Sequence, residues 1–473
     1  MLFYDVQNKV EKLKAQLNTS SDVGTRIIEK AAACIGLVYL KSMVDNALFV
    51  DGICRPIIAS EDVSLQNFST IISTAEVTQI EDSQAVEKIL MGNVVIIMSG
   101  EDKMLAVDIL KYPARIPSEP PTSSVIQGPR EGFTEDIRTN ITLIRRRFYN
   151  KNLVLTDLFV GKYSNTRITV AYLNGVANKK VVKEIVDKLN AIDVDGIIDS
   201  HYIIKYLEKH PRSLFKQVGS MEKPDIIAAK MLEGRVAIII DGSPIVLTLP
   251  FLFFEEVQAS NDYYNSYIYA SFIRIVRLLA IMIAVVVPGT YIALRVYHQN
   301  IIPIKFLITI TNTTKGLPFT PFLEMLFISL LFQILYEVSL RLPSYLGLAT
   351  SIVGALILGD TGVKAGLISP PAVIVVALAK IALYTVPEQA YQLTILQYLF
   401  LFIGGSLGII GIVGLLVYLV LYLASLDSYG APYLAPYAPR VYSDLNDGVF
   451  MEPTNNMKYR PQSFKTYNKK RQK

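Results

Sequence analysis

The sequence predicts a two-part chain. An α/β part made of two related small domains is followed by an all-α polytopic membrane domain of about four to five spans that contains a broken or re-entrant helix. Three observations predict this. Only 18% of the 473 residues are charged and 51% are apolar, against about 25% charged in ordinary soluble domains. The deficit is local, because residues 266–425 hold 8 Lys/Arg and 4 Asp/Glu, whereas residues 1–265 hold 30 and 33. The third observation is an internal repeat in the charged part. The net charge of +5 divides into −3 before the apolar block, +4 within it and +4 after it. That distribution excludes a uniformly basic nucleic-acid binder and a wholly soluble protein.

The repeat has an offset of 142. Lys88-Ile-Leu-Met-Gly92-Asn-Val-Val-Ile-Ile-Met-Ser-Gly100 aligns with Lys230-Met-Leu-Glu-Gly234-Arg-Val-Ala-Ile-Ile-Ile-Asp-Gly242. Each copy reads as a helix ended by glycine, a buried strand and a hairpin turn into a further strand. A weaker echo pairs Val38–Leu40 with Ala171–Leu173. Repetition on this scale means domain duplication. We place the domains at 21–115 and 130–262, with a Pro- and Ser-rich linker at 116–129, a membrane domain at 266–425 and a basic tail at 426–473. Thr134 is the expected N-cap of a helix over Glu135–Phe148. On it Arg138, Arg145 and Arg146 share a face, suited either to phosphate or headgroups or to salt bridging. Asp193, Asp195 and Asp199 surround Gly196 without calcium-loop spacing and read as a turn.

No phosphate-cradling loop, nucleophile elbow or His/carboxylate pairing occurs in this part. Three histidines (His201, His210, His298) and two cysteines (Cys34, Cys54) give no metal-site spacing and no disulfide scaffold. The expectation is a protein that is not an enzyme and holds no cofactor or metal. Met1–Lys14 is amphipathic and charged, unlike a signal peptide, so the N-terminal domains are expected in the cytosol.

In the apolar block, Leu278–Leu294 is a span with Pro288-Gly289 as a bend. Pro321–Leu342 is long enough to cross but carries Ser329, Gln333, Glu337 and Arg341 as a stripe, which in lipid must face protein or water. Leu346–Gly359 is too short to cross and leads into Asp360-Thr-Gly-Val-Lys364-Ala-Gly366, as a broken or re-entrant helix would. Asp360 and Lys364 either pair or line a path. Leu367–Val386 offers a crossing interrupted by Lys380. Leu393–Ala424 would measure about 48 Å as one helix. It is read as a single tilted or protruding helix, too short for two spans. Gly404, Gly408, Gly411 and Gly414 give it a small-residue packing face or a hinge. The tail ends in Lys469-Lys-Arg-Gln-Lys473, and basic flanks favour the cytosolic side. An even number of crossings follows: four spans and a re-entrant segment.

Several stretches in order resemble the A subunit of spore germinant receptors (GerA type) over residues 21–440. They are Gly128-Pro-Arg-Glu-Gly-Phe133, Lys223-Pro-Asp225, Leu232-Glu-Gly-Arg235, Asp262-Tyr-Tyr264, Arg341-Leu-Pro343, Ser351-Ile-Val-Gly-Ala355, Ser369-Pro370, Val373–Ala377 and Leu426-Asp-Ser-Tyr-Gly-Ala-Pro432. The chain departs at Met221-Glu-Lys-Pro-Asp225, where the family usually has Thr-Glu-Arg-Pro-Asp. It departs again at Asp360 and Lys364, where the family has glutamine and then an acid. The resemblance implies a subunit of the spore inner membrane that partners a transporter-like, nutrient-binding B subunit and a lipoprotein C subunit. It further implies a homo-oligomeric ring, a pentamer, forming a nutrient-gated cation channel. The pore-proximal expectation is Ser351, Val353, Gly354, Leu358, Asp360 and Lys364, with the 329–341 stripe in support. An accessory ion channel of the same family and a secondary transporter are the rival readings. The transporter needs a repeat within 266–425 that the sequence lacks.

Overall fold

The computed structural model describes residues 2–30, 33–60, 63–64, 67–72, 77–109, 127–343, 347, 354 and 356–472. In the first domain, strands β1 (Val23–Glu29), β2 (Cys34–Leu40), β3 (Val77–Ile80), β4 (Asn93–Met98) and β5 (Met104–Asp108) form a sheet ordered β1-β2-β4-β5-β3. In the second, β6 (Leu153–Val160), β7 (Thr166–Leu173), β8 (Gly219–Met221), β9 (Val236–Ile240) and β10 (Val246–Leu249) are ordered β6-β7-β9-β10-β8. The two orders are the same, and every pairing is antiparallel. The duplication is therefore one of whole sheets. Gly92 and Gly234 end the matching helices at φ 90° and 96°, and Gly100 and Gly242 turn the matching hairpins at 81° and 84°. Only glycine enters that left-handed region freely, so the aligned glycines are backbone requirements.

Each sheet is covered on both faces. Helix α1 (Leu2–Gln16) and α2 (Asp82–Leu90) cover one face of the first sheet through Val6, Val10, Leu13, Ala85 and Ile89. Gly36 of β2 lets α1 lie close, since a Cβ there would stand 2.7 Å from Val10 and 2.8 Å from Val6. The amphipathic N-terminus thus belongs to the first core. In the second domain, α3 (Ile137–Arg145) covers one face, and α4 (Lys179–Asn190) with α5 (Ser200–Leu207) covers the other. The fourth covering helix of this domain is α6 (Pro224–Leu232), which packs in the same cluster as α3.

The cap of α3 is Asp136, not Thr134; its carboxylate accepts from the Arg138 and Thr139 amides. The three arginines do not share a face. Arg138 is exposed, Arg146 bonds Glu131 at 3.2 Å, and Arg145 is fully buried 3.5 Å from Asp22 of the first domain. Arg145 therefore joins the domains, alongside Thr142 Oγ1 donating to the Ser42 carbonyl (2.6 Å) and the Ser21 amide donating to that of Leu155 (3.1 Å). Asp199 caps α5, while Asp193 pairs with Lys162.

A short α7 (Ser260–Tyr264) leads into the membrane helices. These are α8 (Tyr267–Val296), α9 (Ile304–Thr314), α10 (Pro321–Arg341), α11 (Pro370–Leu383) and α12 (Ala390–Ser425). Among the described residues, three helices are long and apolar enough to cross a membrane, and α11 is a shorter apolar helix. At 14 residues it covers about 21 Å against a core of about 30 Å, so the full crossing expected over Leu367–Val386 is not one helix. Its last expected residues leave the bundle to meet the second domain. Helix α9, not foreseen from the sequence, exposes Ile304, Phe306 and Ile308.

The largest correction concerns α12. It is not one tilted rod but a hairpin. Gly408 sits at φ 65°, ψ −152°, a region essentially confined to glycine. A Cβ on Gly411 would lie 2.8 Å from Ile403 Cγ2, whereas eight residues of straight helix would separate the two by about 12 Å. Both ends of α12 return to one place: Glu388, just before it, pairs with Lys216 at 3.1 Å, and Tyr422 lies 6.2 Å from the ring of Phe215. Two arms, 390–407 and 409–425, each reach about 26 Å. Length alone suggested a single helix because a hairpin reversal within one residue leaves no polar turn to read.

Helix α8 leaves the second domain and ends where Arg295 pairs with Glu324 at the start of α10 (2.8 Å). Helix α10 returns, Gln333 accepting from Lys380 (3.1 Å) and Tyr336 lying 5.5 Å from Tyr384. Beyond α10, a Cβ on Gly354 would meet Leu335, and Val363 packs against the cluster that contains Met325, Ile328 and Ile368. Helix α11 returns again, its Ser369 amide donating to Glu324 (2.6 Å). The α12 hairpin goes out and back. The tail then folds onto the second domain. Tyr433 is fully buried, the Phe253 amide donates to its carbonyl (2.9 Å), and Arg460 Nε donates to the Leu232 carbonyl (2.7 Å). Tail and α/β domains therefore lie at the same end of the bundle.

Candidate functional site at the junction of domain, membrane helices and tail

The residues expected near a pore are placed as follows. Ser351 and Val353 lie outside the described residues. A Cβ on Gly354 would stand 2.7 Å from Leu335. Leu358 falls in a π-helical turn over Ile357–Thr361, a wide coil that is followed at once by the three-residue helix Gly362–Lys364. On it Asp360 and Lys364 pair at 2.8 Å, both exposed on the single chain. In the stripe, Ser329 is buried, Gln333 holds Lys380, and Glu337 and Arg341 pair at 2.6 Å on an exposed surface. Gly404 meets the backbone of Gly289 on α8, Gly408 makes the reversal, Gly411 abuts Ile403 across it, and Gly414 faces open space.

The densest chemistry lies elsewhere, at the end of the bundle shared with the second domain and tail. Asp262 of α7 accepts from Arg277 at 2.7 and 2.9 Å and from Arg274 Nε at 3.2 Å. Arg274 is fully buried, and its Nη1 also donates to Asp447 (2.9 Å) and the Gly448 carbonyl (2.6 Å) in the tail. One guanidinium thus ties the first membrane helix to its lead-in helix and to the tail. Tyr263 donates to the other Asp447 oxygen at 2.9 Å. Burial raises the Asp447 carboxyl, with Arg274 opposing.

Beside this knot is a cavity of about 500 Å³. One wall is β8 and α6, another the 385–388 connection between α11 and α12, and another the 251–264 lead-in. Lys216 spans it, 3.1 Å from Glu388 and 3.6 Å from Glu256. Burial raises the Glu256 carboxyl, Lys216 opposing and Glu388 adding to the rise. Burial would also raise Glu255, but Arg235 and Lys230 outweigh it and hold that carboxylate low. Arg235 contacts both Glu255 and Glu233 and lies over the ring of Phe464 in the tail, 4.4 Å from its centre. Among the described residues no group of three His, Cys, Asp or Glu could hold a metal. Sequence reasoning missed Lys216, Glu255, Glu256 and Glu388, since their partners stand up to 172 residues apart. The available signal was Asp262 and Arg277 flanking the first span.

These features define a class: a polytopic membrane protein whose duplicated α/β domains are locked to the first and last membrane passes. Residues 11–463 match the family described as Bacillus/Clostridium GerA spore germination protein, and the chain belongs to that family. It is 34% identical over 476 residues to spore germination protein KA of Bacillus subtilis, covering 98% of this chain and 87% of that protein. It is 31% identical over 445 residues to spore germination protein XA of Bacillus anthracis, covering 92% and 90%. It is also similar to the crystallised N-terminal domain of the A subunit of the Bacillus megaterium spore germinant receptor GerK3. That match has 29% identity and a TM-score of 0.40, covering 51% of this chain and 93% of that one. The chain is a membrane protein of the germinant receptor A-subunit family, with a role in spore germination.

Proposed function

We propose that this chain is the A-type subunit of a nutrient-responsive germinant receptor and that several copies, arranged as a pentameric ring, enclose a cation-conducting path in the spore inner membrane. The observation that carries the reading is the exposure of two ion pairs, Glu337–Arg341 and Asp360–Lys364, on the surface of a largely apolar bundle. Charged groups inside a bilayer face protein or water, not lipid. Both pairs close a helix, at Arg341 and at Lys364, and in a ring of copies they would face a neighbouring chain or a water-filled path. The pairing of Lys364 with Asp360 also removes the objection that a free lysine would repel cations at a ring of acids. Membership of the family supports partnership with a transporter-like B subunit and a lipoprotein C subunit, and the α/β domains and basic tail then face the cytosol.

The test is cation flux through the chain reconstituted with its partners in liposomes, comparing Asp360→Asn and Val353→Ala with the parent. Altered conductance or gating is expected. Unchanged flux in both variants would remove this segment from the path, and a chain that stays monomeric with its partners would defeat the ring.

A further inference from the structure

The cavity at the junction is built like a binding site. Its volume of about 500 Å³ lies within the roughly 300–1,000 Å³ of small-molecule pockets. Four of the five cations in its lining are paired with carboxylates, Lys216 with Glu388, Lys230 with Glu255 (3.0 Å), Arg235 with Glu233 (3.0 Å), and Arg277 with Asp262; the fifth is Arg471 of the tail. Three of its oxygens are not satisfied. Asp225 Oδ1, Glu256 Oε1 and Asn261 Oδ1 are buried with no hydrogen-bond partner among the described residues. The Glu256 side chain is 3% exposed, and its nearest cation, Lys216, stands 3.6 Å away, beyond hydrogen-bond reach. Asp225 uses its other oxygen to accept from Tyr264 (2.7 Å), with the buried Lys223 ammonium 3.8 Å from that same oxygen, and Oδ1 has no donor.

Buried acceptors without donors are costly, and these three oxygens call for a ligand that brings N–H donors to them. A metal does not fit, because no carboxylate trio converges there. Phe251, Ile226 and Val386 supply apolar wall for a short carbon chain. We infer that the cavity binds a small primary ammonium compound, whose N–H groups donate to Asp225, Asn261 and Glu256. Such a ligand bridges the second domain to the 385–388 connection and so couples the domain to α11 and α12. The cavity stands at the bundle end shared with the domain, so the ammonium comes either from a soluble amine or from an ethanolamine lipid headgroup. This site does not depend on whether the bundle conducts.

The experiment is equilibrium dialysis of radiolabelled ethanolamine against the full chain in detergent. Saturable binding is expected, displaced by methylammonium but not by tetramethylammonium, which lacks N–H donors. Asp225→Asn should weaken it by at least about tenfold, as loss of a charge-assisted bond does. Asn261→Leu, which alters no charge, should weaken it too and covers the case in which the aspartate variant fails to fold. In nanodiscs, binding in phosphatidylcholine but not in phosphatidylethanolamine assigns the lipid as the source, and equal binding in both assigns a soluble amine. Absence of saturable binding in detergent and phosphatidylcholine, or undiminished binding in both variants, would overturn the assignment.

Discussion

Gly404 is where the first arm of α12 touches α8, and alanine there should force the two apart. A Cβ on Gly404 would stand 2.4 Å from the Gly289 carbonyl oxygen, 2.8 Å from its carbon and 3.0 Å from its Cα. Carbon and oxygen normally approach to about 3.3 Å, so relief requires a shift of about 1 Å. The obstacle is backbone, which no rotamer change can move. Overpacking of this kind costs about 1–3 kcal/mol. Alanine also returns up to about 1 kcal/mol of helix propensity. Gly414→Ala supplies the reference, because nothing lies within 4 Å of its Cβ position and it receives the same propensity gain. The difference between the variants isolates the packing cost at about 1–3 kcal/mol. Thermal unfolding of the detergent-solubilised chain, followed by circular dichroism, measures it. Gly404→Ala should melt below Gly414→Ala. Equal midpoints would refute the close helix contact.

Other perturbations address different parts. Introducing cysteines as Ile403→Cys with Gly411→Cys should give an oxidative cross-link within one chain. In a straight helix the pair would be about 12 Å apart, too far for a disulfide, so failure to cross-link would argue against the hairpin. Gly408→Ala should destabilise the bundle by about 1–3 kcal/mol, the cost of a non-glycine residue in that backbone region; a neutral result in the same melting assay would count against the reversal. Asp22→Ala strands Arg145 without its buried partner and should cost about 3–5 kcal/mol, read as a lower melting temperature and earlier proteolysis between the α/β domains. Burial opposes ionisation of Asp199, but bonds from Ser243 and the His201 amide bring its pKa from 3.8 to about 2. A carboxyl held lower when folded stabilises above its unfolded pKa, and that contribution is lost as pH falls from about 4 to about 2. Asp199→Ala should flatten the acid-unfolding profile in that window and cost about 1 kcal/mol at neutral pH.

The duplicated sheets were legible because their landmarks are local. A glycine needed for its φ, a run of buried β-branched residues and a second glycine recur at one spacing, and two of the four pairings in each sheet are hairpins between successive strands. The junction was not legible. Lys216 and Glu388 meet only because the α11–α12 connection returns to the second domain, and nothing in the period of either segment encodes that return. The α12 reversal was hidden for another reason. In water a turn announces itself with polar residues, but a turn at the end of a membrane helix needs only one residue able to adopt φ 65°. Arg145 was misplaced because charge patterning on a helix assumes a solvated face, and a second domain covers this one.

The buried Arg274 has a mechanical meaning. Its bonds reach α7, the first membrane helix and the tail that follows the last one, so the start and finish of the whole bundle are riveted at a single point. The α12 hairpin is held at its start by the Lys216–Glu388 pair and, through the tail that follows its second arm, by that rivet. Rotation of α8 therefore cannot occur alone. The bonds of α8 link it to the tail, and the tail to the second domain, so a turn of α8 has to strain or carry both.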